Sequence, residues 1–298
     1  MKHLKISAIF VSAAFAASLA AAQQAAPAPA AAPAPAEVPV SAKDKPDRSY
    51  SADYAGQKAN LSLVDKTSKS ENPVTLKSAE GKELLFSDAA GGELSVAKNT
   101  KAYRFRVKAD KKLLTAAREA ANDSNWDAAA DYMRPVVYPL APLAVLSDDV
   151  FAEGNAMIEF FLSSLSNAGR LKEASAYVGL LPIQDASDSI CGAALGIARS
   201  LAARGQTGEA EKIVDRIRLN SASPEVLSQV MEVLDQMRNA GDYKRCVLLY
   251  SKLSSLKDNP AKKQAALWGV FCDMAMGNEL SARGTVSYTH LTLPTTSR

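Results

Sequence analysis

Histidine and cysteine supply most of the proton-transfer, nucleophilic and metal-binding chemistry available to side chains near neutral pH, and this chain has two of the first and three of the second. His3 lies in the apolar N-terminal stretch and His290 in a C-terminal segment of unlike composition. Between them no histidine is left, which excludes Ser-His-Asp and Cys-His catalysis and a His-ligated zinc from that part of the chain. Carboxylate-only or Ser-Lys chemistry remains formally open, yet no spacing of Asp, Glu, Ser and Lys sets a pair apart from ordinary solvated helix faces. The sequence therefore offers no catalytic residue, no metal ligand and no cofactor-binding residue.

Both ends read as segments apart from the folded part. Met1 to Ala22 has Lys2 and Lys5, an apolar stretch from Ile6 and the small-residue close Ala20-Ala21-Ala22, the pattern of a cleavable secretory signal over residues 1–22. The alternative, a membrane anchor, is disfavoured by a run at the short limit for a bilayer and made mostly of weakly apolar Ala. Residues 23–48 form an Ala/Pro-rich linker with Pro27, Pro29, Pro33, Pro35 and Pro39, too poor in large apolar side chains to build a core and biased to an extended conformation. At the other end Val286-Ser-Tyr-Thr-His-Leu-Thr-Leu-Pro-Thr295 resembles the translation of an adapter used in preparing sequencing libraries, so residues 286–298 are read as a non-native tail. Without these ends the formal +3 loses Lys2, Lys5 and Arg298, leaving 32 basic against 32 acidic side chains. Nucleic acid or an anionic membrane as partner has no electrostatic support. The expectation is an exported protein of a bacterial periplasm or cell envelope, with no integral membrane segment after signal cleavage.

The elements that must position any site show themselves by recurrence. Gly169, Gly205, Gly241 and Gly277 stand 36 residues apart, and five residues beyond them come Ala174, Ala210, Cys246 and Ala282. A period of this size means stacked helical hairpins, each burying its apolar face against the next. Before them, residues 49–108 carry short β-prone runs: Val74-Thr-Leu76, Leu84-Leu-Phe86, Leu94-Ser-Val96, and Tyr103, Phe105 and Val107 alternating with Arg104, Arg106 and Lys108. These predict a small antiparallel sheet with one apolar face, leaning on the first helical hairpin. The fold class expected is mainly α: a helical-hairpin solenoid over 110–285, about four hairpins plus a truncated fifth, preceded by a β-rich domain over 49–108.

The hairpin junctions Ser166-Asn-Ala-Gly-Arg-Leu-Lys-Glu-Ala174, Ala202-Ala-Arg-Gly-Gln-Thr-Gly-Glu-Ala210 and Arg238-Asn-Ala-Gly-Asp-Tyr-Lys-Arg-Cys246 resemble tetratricopeptide repeats over 110–283. Ala120 to Ala129 fits as a first copy, with Ser124 in the glycine slot and Trp126 in the large-residue slot, 45 residues before Gly169. The extra residues are assigned to the connection around Tyr138-Pro-Leu-Ala-Pro142. The period is longer than the family's usual repeat of about 34, with the excess placed in connections where Ser223 before Pro224 and Asn259 before Pro260 suit helix starts. Where the family carries an aromatic early in the first helix, this chain has Ile158, Ala194, Val230 and Ala266.

Repeat register marks Phe161, Ile197 and Val233, then Val178, Val214 and Tyr250, then Leu181, Ile217 and Leu253, as core. Ala174, Ala210 and Cys246 are small where two helices approach. Cys246 and Cys272 admit two readings, a bridge between consecutive hairpins or small sulfur side chains filling helix contacts. Without a CxxC pair, neither structural zinc nor a thioredoxin-like site is indicated.

In tetratricopeptide proteins the first helix of each hairpin lines a concave groove. The resemblance thus implies a partner-binding groove of Glu159, Ser163, Asn167, Leu195, Arg199, Met231, Asp235, Arg238 and Asn239. It lacks the repeated Lys and Asn with which the family clamps a terminal carboxylate. Three readings of function follow: an exported scaffold binding a protein or peptide partner; a wall- or carbohydrate-binding protein using Tyr50, Tyr54 or Tyr103 of the β region; and the recruitment part of an enzyme whose catalytic domain lies beyond residue 285.

Overall fold

The computed structural model describes residues 50, 53–54, 56–79, 81–257 and 259–278. The signal segment, the linker, the end of the fifth hairpin and the C-terminal tail lie outside the described residues.

Five strands form one antiparallel sheet: β1 (Asn60–Asp65), β2 (Glu71–Ser78), β3 (Glu83–Asp88), β4 (Glu93–Ala97) and β5 (Tyr103–Val107), in the order β4-β3-β2-β1-β5. The four runs expected from alternation are β2 to β5. The central strand β1, Asn-Leu-Ser-Leu-Val-Asp, is additional, although Leu61 and Leu63 flanking Ser62 carry the same period of two. Register places Leu61 opposite Val74 and Val107, Leu63 opposite Phe105, Leu76 opposite Phe86 and Leu84 opposite Val96. The buried apolar side chains of the five strands thus share one face, while Leu85 and Val64 lie on the other.

That face is strongly curved. Strands β3 and β5 are separated by β2 and β1, which in a flat sheet would set them roughly 14 Å apart. Yet the rings of Phe86 and Phe105 have centroids 5.0 Å apart and are fully buried. The sheet curls around its own aromatic pair.

Nine helices follow among the described residues: α1 (Lys111–Asn122), α2 (Trp126–Val137), α3 (Asp148–Asn167), α4 (Leu171–Leu180), α5 (Asp188–Ala203), α6 (Thr207–Asp215), α7 (Pro224–Asn239), α8 (Tyr243–Ser255) and α9 (Lys262–Ala275). Gly169, Gly205, Gly241 and Gly277 follow α3, α5, α7 and α9 with φ between +76° and +83°, the left-handed conformation that ends a helix and admits glycine without strain. Ser124, in the equivalent slot after α1, adopts φ 59°. Ser223 caps α7 as expected, its side chain accepting from the Val226 amide, with Pro224 as first helical residue. Asn259 does not start α9. Its Oδ1 accepts from the Ala261 amide and its Nδ2 donates to the Leu253 carbonyl, so it closes a turn and the helix begins at Lys262.

Every core position assigned from the repeat register is buried, and Ala174, Ala210 and Cys246 are completely so. The first helices α3, α5 and α7 lie side by side. Helix α9 departs from that stacking and lies principally along α8. Between α2 and α3 the extra residues form a buried 3-10 segment, Tyr138–Val145, packed on both helices. The sheet leans on α3 rather than on the first hairpin: β5 runs against it, and the Val107 amide donates to Glu153 Oε2 at 3.2 Å. This differs from the expected arrangement: Glu153, in register with Ser189 of α5 and Glu225 of α7, meets the end of β5 and ties the sheet to α3.

Candidate partner-binding surface

The residues expected to line a groove divide by exposure. On α3, Glu159 is half-buried while Ser163 and Asn167 are exposed. On α5, Arg199 is exposed and donates to Glu232 Oε2 of α7 at 2.5 Å. On α7, Asn239 is exposed, whereas Asp235 is half-buried and accepts from the Tyr250 hydroxyl at 3.1 Å and from Arg238 at 3.2 Å. Arg238 lies with its guanidinium 3.5 Å from the centre of the Trp268 ring, a cation–π contact that commits it to α9.

Leu195 and Met231 are buried, 1% and 5% exposed. That position on a first helix points along the layer toward neighbouring helices, so the apolar side chain is spent on packing. Leu195 forms the floor of a depression of about 250 Å³ between α5 and α7, bordered by Gly192, Gly196, Arg199, Gln229 and Glu232. A Cβ on Gly192 would meet Gln229 Oε1 at 2.9 Å, so the bare glycine lets the Gln229 amide lie against α5 there. What remains for a partner is a polar strip of Ser163, Asn167, Arg199, Glu232 and Asn239.

Sequence reading missed a buried ionic cluster between α2 and α4. Arg134 donates to Glu173 Oε1 at 2.7 Å and to Asp131 at 2.6 Å; Arg170 donates to Asp131 at 2.7 Å and pairs with Glu173. Burial by itself would raise the Asp131 carboxyl, but the hydrogen bonds from Arg170 and Arg134 outweigh it and hold it below the ordinary range. Asp127 adds a third carboxylate 3.7 Å from Arg170; the side chains of Arg134, Arg170 and Glu173 are buried while Asp127 and Asp131 reach solvent, so neither buried guanidinium is left unpaired, the condition under which buried ions are tolerated. In the sequence these residues look like solvated helix charges. Only the packing of α2 against the start of α4 brings them together.

The tyrosines considered for wall binding are committed to packing. The Arg134 guanidinium sits 3.9 Å from the centre of the Tyr50 ring, the Tyr54 ring is 4.9 Å from that of Tyr138, and Tyr103 is half-buried against the core. Cys191, Cys246 and Cys272 are free thiols, all buried. Burial raises their pKa values to about 11, 12 and 11, so they are protonated and unreactive in the fold. Among the described residues there is no histidine and no group of His, Cys, Asp and Glu able to hold a metal ion, and no helix is long and apolar enough to cross a membrane.

No protein-family description, no curated protein and no solved structure matches this chain.

Proposed function

We propose that this chain is an exported interaction scaffold: a tetratricopeptide-like solenoid that holds a protein or peptide partner in the bacterial cell envelope. The observation that carries the reading is the layer of first helices α3, α5 and α7. Laid side by side, they present Ser163, Asn167, Arg199, Glu232 and Asn239 on one surface. Ser166 and Ser200 hydrogen-bond between α3 and α5 at 3.1 Å, and Arg199 pairs with Glu232 between α5 and α7, so the surface is pre-organised. A rigid surface lowers the ordering cost of binding. Its mixture of amides, a hydroxyl and a bridged ion pair suits a polar segment laid across the helices better than a single buried anchor.

Photo-cross-linking tests the reading. Benzoylphenylalanine replacing Ser163 or Asn239 should give partner adducts in the producing cell, while the same group at Lys212 or Lys252, on second helices, should not. Identical adducts from both sets, or none from either, would refute the proposal.

A further inference from the structure

Helices α8 and α9 meet closely and run antiparallel. A Cβ on Gly269 would lie 3.6 Å from Tyr250 Cβ, and the Tyr243 ring, at the start of α8, meets the Phe271 ring, late in α9, with centroids 6.2 Å apart. From the contact of Tyr250 with Gly269, Cys246 lies four residues back along α8 and Cys272 three residues on along α9. In an antiparallel pair both steps travel the same way. At about 1.5 Å of rise per residue they end within about 1.5 Å of one level, and spacings of four and three keep both residues on the contact face.

Both cysteines are fully buried in this joint. Cys246 stands where the other hairpins carry Ala174 and Ala210, so a thiol replaces a methyl group at a close helix crossing. Burial first, and next the charge of the nearby Cys272 thiolate, push the Cys246 thiol up to about 12. Cys191 stands apart on α5, its thiol directed at the Ile183 carbonyl.

We infer that Cys246 and Cys272 are a disulfide-forming pair, and that in an oxidising compartment they close into a bond that fastens α9 to α8. The structure describes the reduced form. The inference rests on the reading of the chain as exported only for the compartment in which closure takes place. The oxidant is a disulfide, small or carried by an oxidoreductase. One cysteine thiolate attacks it and expels a thiolate, leaving a mixed disulfide; the second cysteine, also deprotonated, attacks that bond and expels the other thiolate. Two thiols thereby lose two protons and two electrons, and the oxidant becomes two thiols. Because both groups are sealed in the folded joint, exchange takes place before α9 docks, and the docked geometry selects the pair. The bond would fix the helix whose Trp268 holds Arg238, at the end of the proposed binding surface.

The test refolds the full reduced chain in a glutathione redox buffer, alkylates the remaining thiols in denaturant and maps the peptides without reduction. One intramolecular bond from Cys246 to Cys272 is expected, with Cys191 alkylated. The bridged chain should have an unfolding equilibrium constant lower than the reduced chain's by about thirtyfold or more, and slower amide exchange in α9. Cys246→Ala, which supplies the residue the other hairpins use, should fold and lose both the bond and the response to redox buffer, while Cys191→Ala should keep both. A bond that includes Cys191, the absence of an intramolecular bond, or a bond that leaves the unfolding constant unchanged or raised overturns the inference. A second measurement blocks thiols at harvest in the producing cell. Free Cys246 and Cys272 there, after closure in buffer, would leave the pairing standing and count against the export reading.

Discussion

Gly154 shows how a single residue in α3 is fixed by its surroundings. A Cβ there would lie 1.9 Å from the Phe151 ring, and Phe151 is fully buried with φ −135°, outside the helical range. Gly154→Ala is expected to cost about 1–3 kcal/mol, because a buried ring in a closed core has nowhere to move; urea denaturation would measure it. The opposite change is available at Ser124, which pays for a left-handed conformation that the other hairpins give to glycine. Ser124→Gly should stabilise by roughly 0.5–1 kcal/mol, the strain relieved less the entropy glycine adds to the unfolded chain. The three thiols of the reduced protein are expected to resist an aromatic disulfide reagent at about pH 8 in the native state and all to react in denaturant, since burial raises each above its ordinary value of about 8.5. Two thiols missing from the denatured count of unreduced protein would mean that Cys246 and Cys272 are bridged in the exported protein.

Among elements, the tie between α2 and α4 sets the pH response. Burial raises the Asp131 pKa and the arginine hydrogen bonds more than reverse that, so its folded value lies below the unfolded value of about 3.9. A depressed carboxylate stabilises the fold fully above the unfolded pKa, and the contribution disappears as pH falls through the folded value. Asp242 follows the same direction: burial raises its carboxyl, and the Thr207 hydroxyl and Arg245 more than offset this. The urea midpoint is therefore expected to hold steady from about pH 7 to 5 and to drop below about pH 4. Asp131→Asn should lower the midpoint at neutral pH and shrink the acid loss; an unchanged acid profile would show that other carboxylates dominate. Helix spacing is equally constrained at Ala210, where α5 and α6 meet: Ala210→Leu should destabilise by about 1–3 kcal/mol through overpacking.

At the scale of the molecule, the sheet and the helices share one continuous buried cluster running from Leu61 and Phe105 through Phe151 and Phe161 to Cys272. Unfolding is thus expected as a single transition, with far-ultraviolet helix signal and near-ultraviolet aromatic signal changing together. A separate early transition in which helix content is retained would show that the sheet unfolds alone.

Periodicity alone located the hairpin turns, the core positions and the small residues at helix crossings. Glycine after a helix, alanine at a close crossing and apolar residues at one register are local necessities that each repeat must meet by itself. Alternation likewise located β2 to β5, since one buried and one solvated face leave a period of two. The surface available to a partner was less legible. Leu195 and Met231 stand in register with half-buried Glu159 and were expected beside exposed Ser163 and Asn239, yet neighbouring helices bury them, and Arg238 is taken up by Trp268 on α9. On α9, the register equivalent of Leu195 and Met231 is Leu267, 65% exposed, because no described helix lies beyond it. The curl that joins Phe86 to Phe105 and the paired arginines between α2 and α4 also arise from contacts between residues far apart in the chain. Periodicity within an element is enough to mark the side chains of its recurring apolar face, because that face depends on the element's own geometry. Whether a side chain off that face, such as Leu195, Met231 or Arg134, meets a neighbour or solvent is set by how the helices and the 3-10 segment pack in three dimensions, because that contact involves residues far apart in the chain.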